Sequence, residues 1–205
     1  MNDFKLIRVE RIEKNGKKEL LIHNPTTLKL IGAGSQGAVF QLDEDICVKI
    51  YVNPNAATKE GKALEAAKDT HIVPRLYEVG PNYVIMEYLK GPNLKDFLKG
   101  KQDIPESITE QIIMIRKELK RVGFIRIKTS IGHFVVTKGN VLKAIDHSDG
   151  LTMNDPYNPK MFRDLKKMGL LDTFRKQAKK IDPESYEEWQ KISTSMRYRK
   201  PNRYK

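Results

Sequence analysis

The stretch Gly32-Ala33-Gly34-Ser35-Gln36-Gly37-Ala38-Val39-Phe40, followed by Cys47-Val48-Lys49, constrains this chain more than any other feature. It fits G-x-G-x-x-G-x-V at every fixed position and then supplies a lysine. Glycines let the backbone bend tightly and lie close over a phosphate chain, with N–H groups turned toward anionic oxygens. A lysine on the next strand would neutralise the same phosphates. A dinucleotide-binding loop would have to open a helix on a strand–turn–helix path. Here Val39-Phe40-Gln41-Leu42 and Ile46-Cys47-Val48-Lys49-Ile50-Tyr51 are β-prone runs on either side of an acidic turn, Asp43-Glu44-Asp45. The loop is therefore expected to join strands of an antiparallel meander.

From Leu28 to about Asp149 the order of segments resembles a protein kinase. The run Lys59-Glu60-Gly61-Lys62-Ala63-Leu64-Glu65-Ala66-Ala67-Lys68 is helix-forming, with Ala63, Leu64 and Ala67 on one face. It resembles the kinase helix whose glutamate pairs with the strand lysine, and the resemblance gives that role to Glu60, with Glu65 in reserve. Residues 71–80 resemble the fourth strand of such a lobe. Tyr83-Val84-Ile85-Met86-Glu87-Tyr88-Leu89 resembles the fifth strand and hinge, and Lys90–Leu98 the turn into the first helix of a second lobe. The resemblance implies that the backbone of Glu87 and Leu89 holds an adenine with Met86 behind it, and that Gly32, Gly34, Ser35, Gly37, Val39 and Lys49 surround the rest of the nucleotide.

The second half departs from that pattern. Val141-Leu142-Lys143-Ala144-Ile145-Asp146 resembles the strand leading into D-F-G, which makes Asp146 the magnesium-binding aspartate and His147-Ser148 the replacement for Phe-Gly. Phe134–Lys138 resembles the strand after the catalytic loop, so the loop falls in Arg126-Ile127-Lys128-Thr129-Ser130-Ile131-Gly132-His133, which contains no carboxylate. The H-R-D-L-x-x-x-N pattern puts Lys128 in place of the catalytic aspartate and His133 in place of the second metal ligand. Asp146 with His133 is the implied metal pair. Ser130 is the other residue that could stand in for the aspartate.

A chain of 205 residues can bury a real core but is short for a kinase, so the second lobe must be cut down. In this it resembles the short serine/threonine protein kinases of Bacillus-like bacteria and the RIO-type proteins. The one cysteine, Cys47, falls in a strand and reads as a small core residue. With no second cysteine there is no internal disulfide, as suits a reducing cytoplasm. No stretch approaches the roughly 18 apolar residues of a membrane span. The formal charge of +12 is spread along the chain, and its acidic residues alternate with the basic ones in several clusters. The end, from Arg197 to Lys205, interleaves tyrosines with basic residues and suits an anionic partner.

The expected organisation is a hairpin extension over 1–27 turning at Lys14-Asn15-Gly16-Lys17, a kinase-like N-lobe and hinge over 28–89, a shortened helical C-lobe over 90–192, and a disordered basic tail over 193–205. The fold class is α+β: two lobes, the first an antiparallel sheet with one helix and the second mostly helical. Helices are expected from Pro105 through Arg121, over Met161–Met168 and Leu170–Lys180, and from Pro183 through Ile192. His23 and His71 read as structural, and Trp189 as a packing residue. The implied function is an ATP- and Mg2+-dependent serine/threonine protein kinase acting on a protein hydroxyl or on itself. The alternatives are a pseudokinase that only binds nucleotide or a partner, and a nucleic-acid-associated atypical kinase or ATPase suggested by charge.

Overall fold

The computed structural model describes residues 3–14, 16–125, 130–152 and 160–198, with side chains left aside at Lys17 and at 191–198. It shows an α+β chain with an antiparallel N-terminal sheet and a helical C-terminal part, consistent with a small kinase-like two-lobed fold. The two compact units are Met1–Lys90 with Asp146–Leu151, and Gly91–Ile145 with Thr152–Lys205. Lys128 lies outside the described residues, as does the end of the basic tail from residue 199.

In the first unit, β1 (Arg8–Lys14) and β2 (Lys17–His23) form an antiparallel hairpin whose last pair is Lys14 with Lys17. A five-stranded sheet follows, with β3 (Leu30–Gly34), β4 (Gly37–Gln41), β5 (Ile46–Tyr51), β6 (Leu76–Val79) and β7 (Tyr83–Glu87) in the order β3-β4-β5-β7-β6. Every pairing in it is antiparallel. Strand residues alternate between faces. Ala38, Phe40, Val48, Ile50 and Tyr83 therefore share one face, where Ile7 and Val9 complete a buried cluster and Phe4 meets the Tyr83 ring edge-on at 4.8 Å. Val39, Lys49 and Val84 stand in register on the other face.

One helix, α1 (Pro54–Ala66), belongs to this unit. It begins five residues before the expected Lys59 because Asn53 caps it, its side chain accepting from the Asn55 N–H, with Pro54 in the first turn where a missing N–H costs nothing. Ala63, Leu64 and Ala67 are buried as the periodicity predicts. A Cβ at Gly61 would lie 2.5 Å from Val79 Cγ2, so this glycine lets helix and sheet approach closely.

The second unit contains α2 (Leu94–Leu98), α3 (Glu106–Arg121), a short hairpin of β8 (Phe134–Val136) and β9 (Leu142–Ala144), then α4 (Lys160–Lys167), α5 (Leu171–Ile181) and α6 (Pro183–Tyr198). Ile108, Ile112, Ile115 and Leu119 form the buried stripe of α3, and Gly123 with φ +92 follows its end. Gln111 of α3 fastens the β8–β9 hairpin by accepting from the Leu142 N–H at 2.7 Å and donating to the Asn140 carbonyl at 3.0 Å. Trp189 is buried, stacked on Phe174 at 5.3 Å. The last helix runs past Ile192 to Tyr198, since Ser193-Thr194-Ser195-Met196-Arg197 contains neither glycine nor proline to stop it.

The tip of the β3–β4 hairpin offers a stability test. A Cβ at Gly37 would lie 2.1 Å from the Ile50 carbonyl oxygen, whereas one at Gly34 would meet nothing within 4 Å. Gly37→Ala is expected to cost about 1–3 kcal/mol by forcing β4 away from β5, and Gly34→Ala to stay within about 0.5 kcal/mol of wild type. Thermal melting of both variants checks this, and equal losses would contradict it.

Candidate functional site

Lys49 lies on β5, a strand with neighbours on both sides, and is only 6% exposed. A buried ammonium is costly unless paired and hydrogen-bonded. Its Nζ donates to Asp146 Oδ1 at 2.5 Å, lies 4.0 Å from Glu60 Oε2, and sits 4.9 Å from the centre of the Tyr51 ring. Burial alone would lower the Lys49 pKa, but Glu60 and Asp146 together outweigh it and hold the pKa above its usual value.

Glu60 owes its position to the helical period, four residues before Leu64 on the buried face of α1, and is 2% exposed. Glu65 points elsewhere: it is exposed and pairs with Lys68 at 2.6 Å. Asp146 adopts φ +64, a left-handed conformation that aspartate tolerates better than most residues. The segment it begins is held at three successive residues. Asp146 accepts from Lys49, the His147 N–H donates to Glu60 Oε1 at 2.8 Å, and the Ser148 hydroxyl donates to Gln36 Oε1 at 3.0 Å. Strand β5, helix α1 and the glycine loop thus each hold one residue of Asp146-His147-Ser148.

The glycine loop is the two-residue tip Ser35-Gln36 between paired Gly34 and Gly37. The Gln36 carbonyl accepts from the Val52 N–H at 3.0 Å, and the Arg11 guanidinium from the β1 strand donates to the Ser35 carbonyl. Val39 stands directly across from Lys49. Gly32 and Gly34 carry no packing that a Cβ would break.

At the end of β7, where the sequence suggested a hinge, Met86 pairs with Cys47 and Glu87 with Ile46. The Glu87 carbonyl accepts from the Cys47 thiol at 3.7 Å, and the Glu87 N–H donates to the Arg75 carbonyl. The Leu89 N–H has no backbone acceptor among the described residues. Lys90 closes the segment by pairing with Glu44 and Asp45, at 2.9 Å each.

The structure therefore brings together Lys49, Glu60, Asp146, Val39 and the loop glycines within one unit. His133 belongs to the other unit, in a single turn of 3-10 helix over Ile131–His133, where its carbonyl accepts from the Ile145 N–H at 2.9 Å. Among the described residues no group of three or more His, Cys, Asp or Glu gathers where it could hold a metal ion. The sequence reading did not single out Tyr51, Arg11, Gln36 or Ser148 as site residues. Only Gln36 and Ser148 left a signal: one lies inside the glycine motif, and the other puts a hydroxyl where the resembled motif has glycine.

Two tests follow. Glu60→Gln is expected to weaken the Lys49 cluster while Glu65→Gln is silent, by roughly 1–3 kcal/mol against less than about 0.5 kcal/mol in chemical denaturation. The second concerns alkaline pH. Burial pushes the Cys47 thiol from 9.0 up to about 12, and burial joined by Glu60 and Asp146 pushes Tyr51 well above its usual 10.0, while Lys49 is raised above 10.5. Above these ordinary values the unfolded chain has lost protons that the folded protein keeps, so stability falls as pH rises, by about 1.4 kcal/mol per pH unit for each such group. The melting temperature should begin to drop near pH 9, and Cys47→Ala should delay the onset. A flat profile to pH 11 would contradict the burial of these groups.

No protein-family model matches the chain. Over 138 residues it is 25% identical to the Bacillus subtilis (strain 168) protein named "Putative serine/threonine-protein kinase YrzF". The matched stretch is 65% of this chain and 64% of the relative's length, so less than two thirds of that protein is spanned. With the sheet order and the Lys49–Glu60–Asp146 cluster, this similarity makes the relationship a kinase-like one.

Proposed function

We propose that this protein is an ATP-dependent phosphotransferase of the serine/threonine kinase type, moving the γ-phosphoryl group to a hydroxyl of another protein or of itself. The observation that carries the reading is the buried Lys49 held between Glu60 and Asp146 on the sheet face next to a glycine hairpin whose Gly34 has open space.

In this reading the backbone around Gly32, Gly34, Ser35 and Gly37 covers the phosphates, Lys49 neutralises the α and β groups, and Glu60 keeps Lys49 aimed. The Glu87 carbonyl and Leu89 N–H hold the adenine edge. Magnesium fits an oxygen donor such as Asp146, 37% exposed at its side chain, better than an imidazole such as that of His133, so Asp146 is its protein ligand in this reading. Magnesium would supply neutralisation of charge on the transferring group. Lys128, where the resembled motif has its proton-accepting aspartate, can stabilise phosphoryl charge but cannot serve as a carboxylate base. Phosphoryl transfer depends mainly on positioning and electrostatics, so slow turnover is compatible with that loss. The same lysine favours a second reading, a nucleotide-binding protein without transfer. No helix among the described residues is long and apolar enough to cross a membrane, and the reading places the protein in the reducing cytoplasm.

Incubation with γ-labelled Mg-ATP, alone and with a mixed serine/threonine peptide substrate, tests the reading. Slow labelling is expected, falling at least about 100-fold in Asp146→Asn and in Lys49→Ala. Lys128→Asp should raise it. Labelling that survives Asp146→Asn would overturn the assignment, and absence of labelling in wild type with Mg-ATP still bound would favour the second reading.

A further inference from the structure

The side chains of Ser148 and Gln36 are the parts of this cluster that the proposed chemistry does not use. Ser148 is 2% exposed, and a buried hydroxyl needs a partner; it finds one in Gln36 Oε1, 112 positions away in sequence. Otherwise the loop tip is fixed through its backbone: Gly34 pairs with Gly37, and the Ser35 and Gln36 carbonyls accept from Arg11 and Val52. A cavity of about 220 Å³ at the tip, lined by Arg11, Gln36, Val52, Asn53, Lys59 and Asp149 among others, gives a released Gln36 side chain space to swing.

We propose that Gln36 and Ser148 are positioning residues: their hydrogen bond fastens the glycine-loop tip to the segment carrying Asp146, so that the phosphate cover and the acidic side chain keep a fixed separation. The bond itself is independent of any ligand. Its purpose rests on the nucleotide reading above, because a shared anchor matters most when one polyphosphate must meet both the loop and Asp146. A glycine at position 148 would have no hydroxyl to offer, which gives the serine a reason beyond space filling.

Hydrogen exchange of a peptide spanning Gly32–Val39, measured without nucleotide, reads the latch. Ser148→Ala and Gln36→Leu are each expected to speed exchange about three- to tenfold, as loss of one ordinary hydrogen bond would. Gln36→Glu, which keeps an acceptor oxygen, should stay within about twofold of wild type, and the Gln36→Leu/Ser148→Ala pair should be no faster than either single change. Should Ser148→Ala fold poorly, the contrast between Gln36→Leu and Gln36→Glu decides, since Gln36 is only half-buried. Unchanged exchange in Gln36→Leu, or equal acceleration in Gln36→Glu, overturns the latch. In the second arm, a fluorescent ATP analogue with magnesium should bind Gln36→Leu and Ser148→Ala several-fold more weakly than wild type. Faster exchange with unchanged affinity overturns the positioning role. Faster exchange in the variants together with a wild type that binds no analogue leaves the latch standing and removes the nucleotide reading instead.

Discussion

The first unit is arranged around an ammonium ion taken out of water. Desolvating one charge costs several kcal/mol even after relaxation, and the cost is recovered only where opposite charges and hydrogen bonds are held in good geometry. Lys49 meets that condition through residues from separate parts of the chain: Glu60 on the buried face of α1 and Asp146 beyond the β8–β9 hairpin. The requirement explains why Asp146–Leu151 folds with the N-terminal unit although the chain on either side of it belongs to the other. Two carboxylates around one lysine give the cluster a formal charge of −1, with Asp146 as its exposed member.

The sheet makes this possible by dividing its faces. One takes the apolar cluster of Ile7, Val9, Phe40, Val48 and Ile50, so the strands are held by burial of hydrocarbon there. The other is free to carry Val39, Lys49 and Val84 in a row and the charged cluster beside them. The glycine loop mirrors this division of labour: Gly37 is demanded by the Ile50 backbone, whereas a Cβ at Gly34 would meet nothing within 4 Å.

Local sequence carried much of this. The β-prone runs around Asp43-Glu44-Asp45, the glycine hairpin and the stripe of α3 follow from period and turn chemistry, and the helical spacing of Glu60 from Leu64 is what buries Glu60 and leaves Glu65 outside. Local signals also erred locally. α1 starts ahead of the helix-forming run at Lys59 because Asn53 caps it with Pro54 in the first turn, and α6 outran its expected end at Ile192 for want of a breaker. What sequence could not offer was the pairing of groups far apart in the chain. The Ser148 hydroxyl meets the Gln36 side chain, the His147 N–H meets the Glu60 carboxylate and the Arg11 guanidinium meets the Ser35 carbonyl, and no local period or turn signal tells which of these distant groups will pair.

The central claim is that the buried Lys49 cluster exists to hold a polyphosphate. Titration calorimetry of Mg-ATP into wild type and into Lys49→Met, a variant that keeps the length of the side chain and removes the charge, tests it most directly. The account predicts saturable binding to wild type at or below millimolar nucleotide and an affinity at least about tenfold lower, some 1.4 kcal/mol, for a folded Lys49→Met. Equal affinity in the two proteins, or no binding heat in wild type at millimolar Mg-ATP, would contradict it.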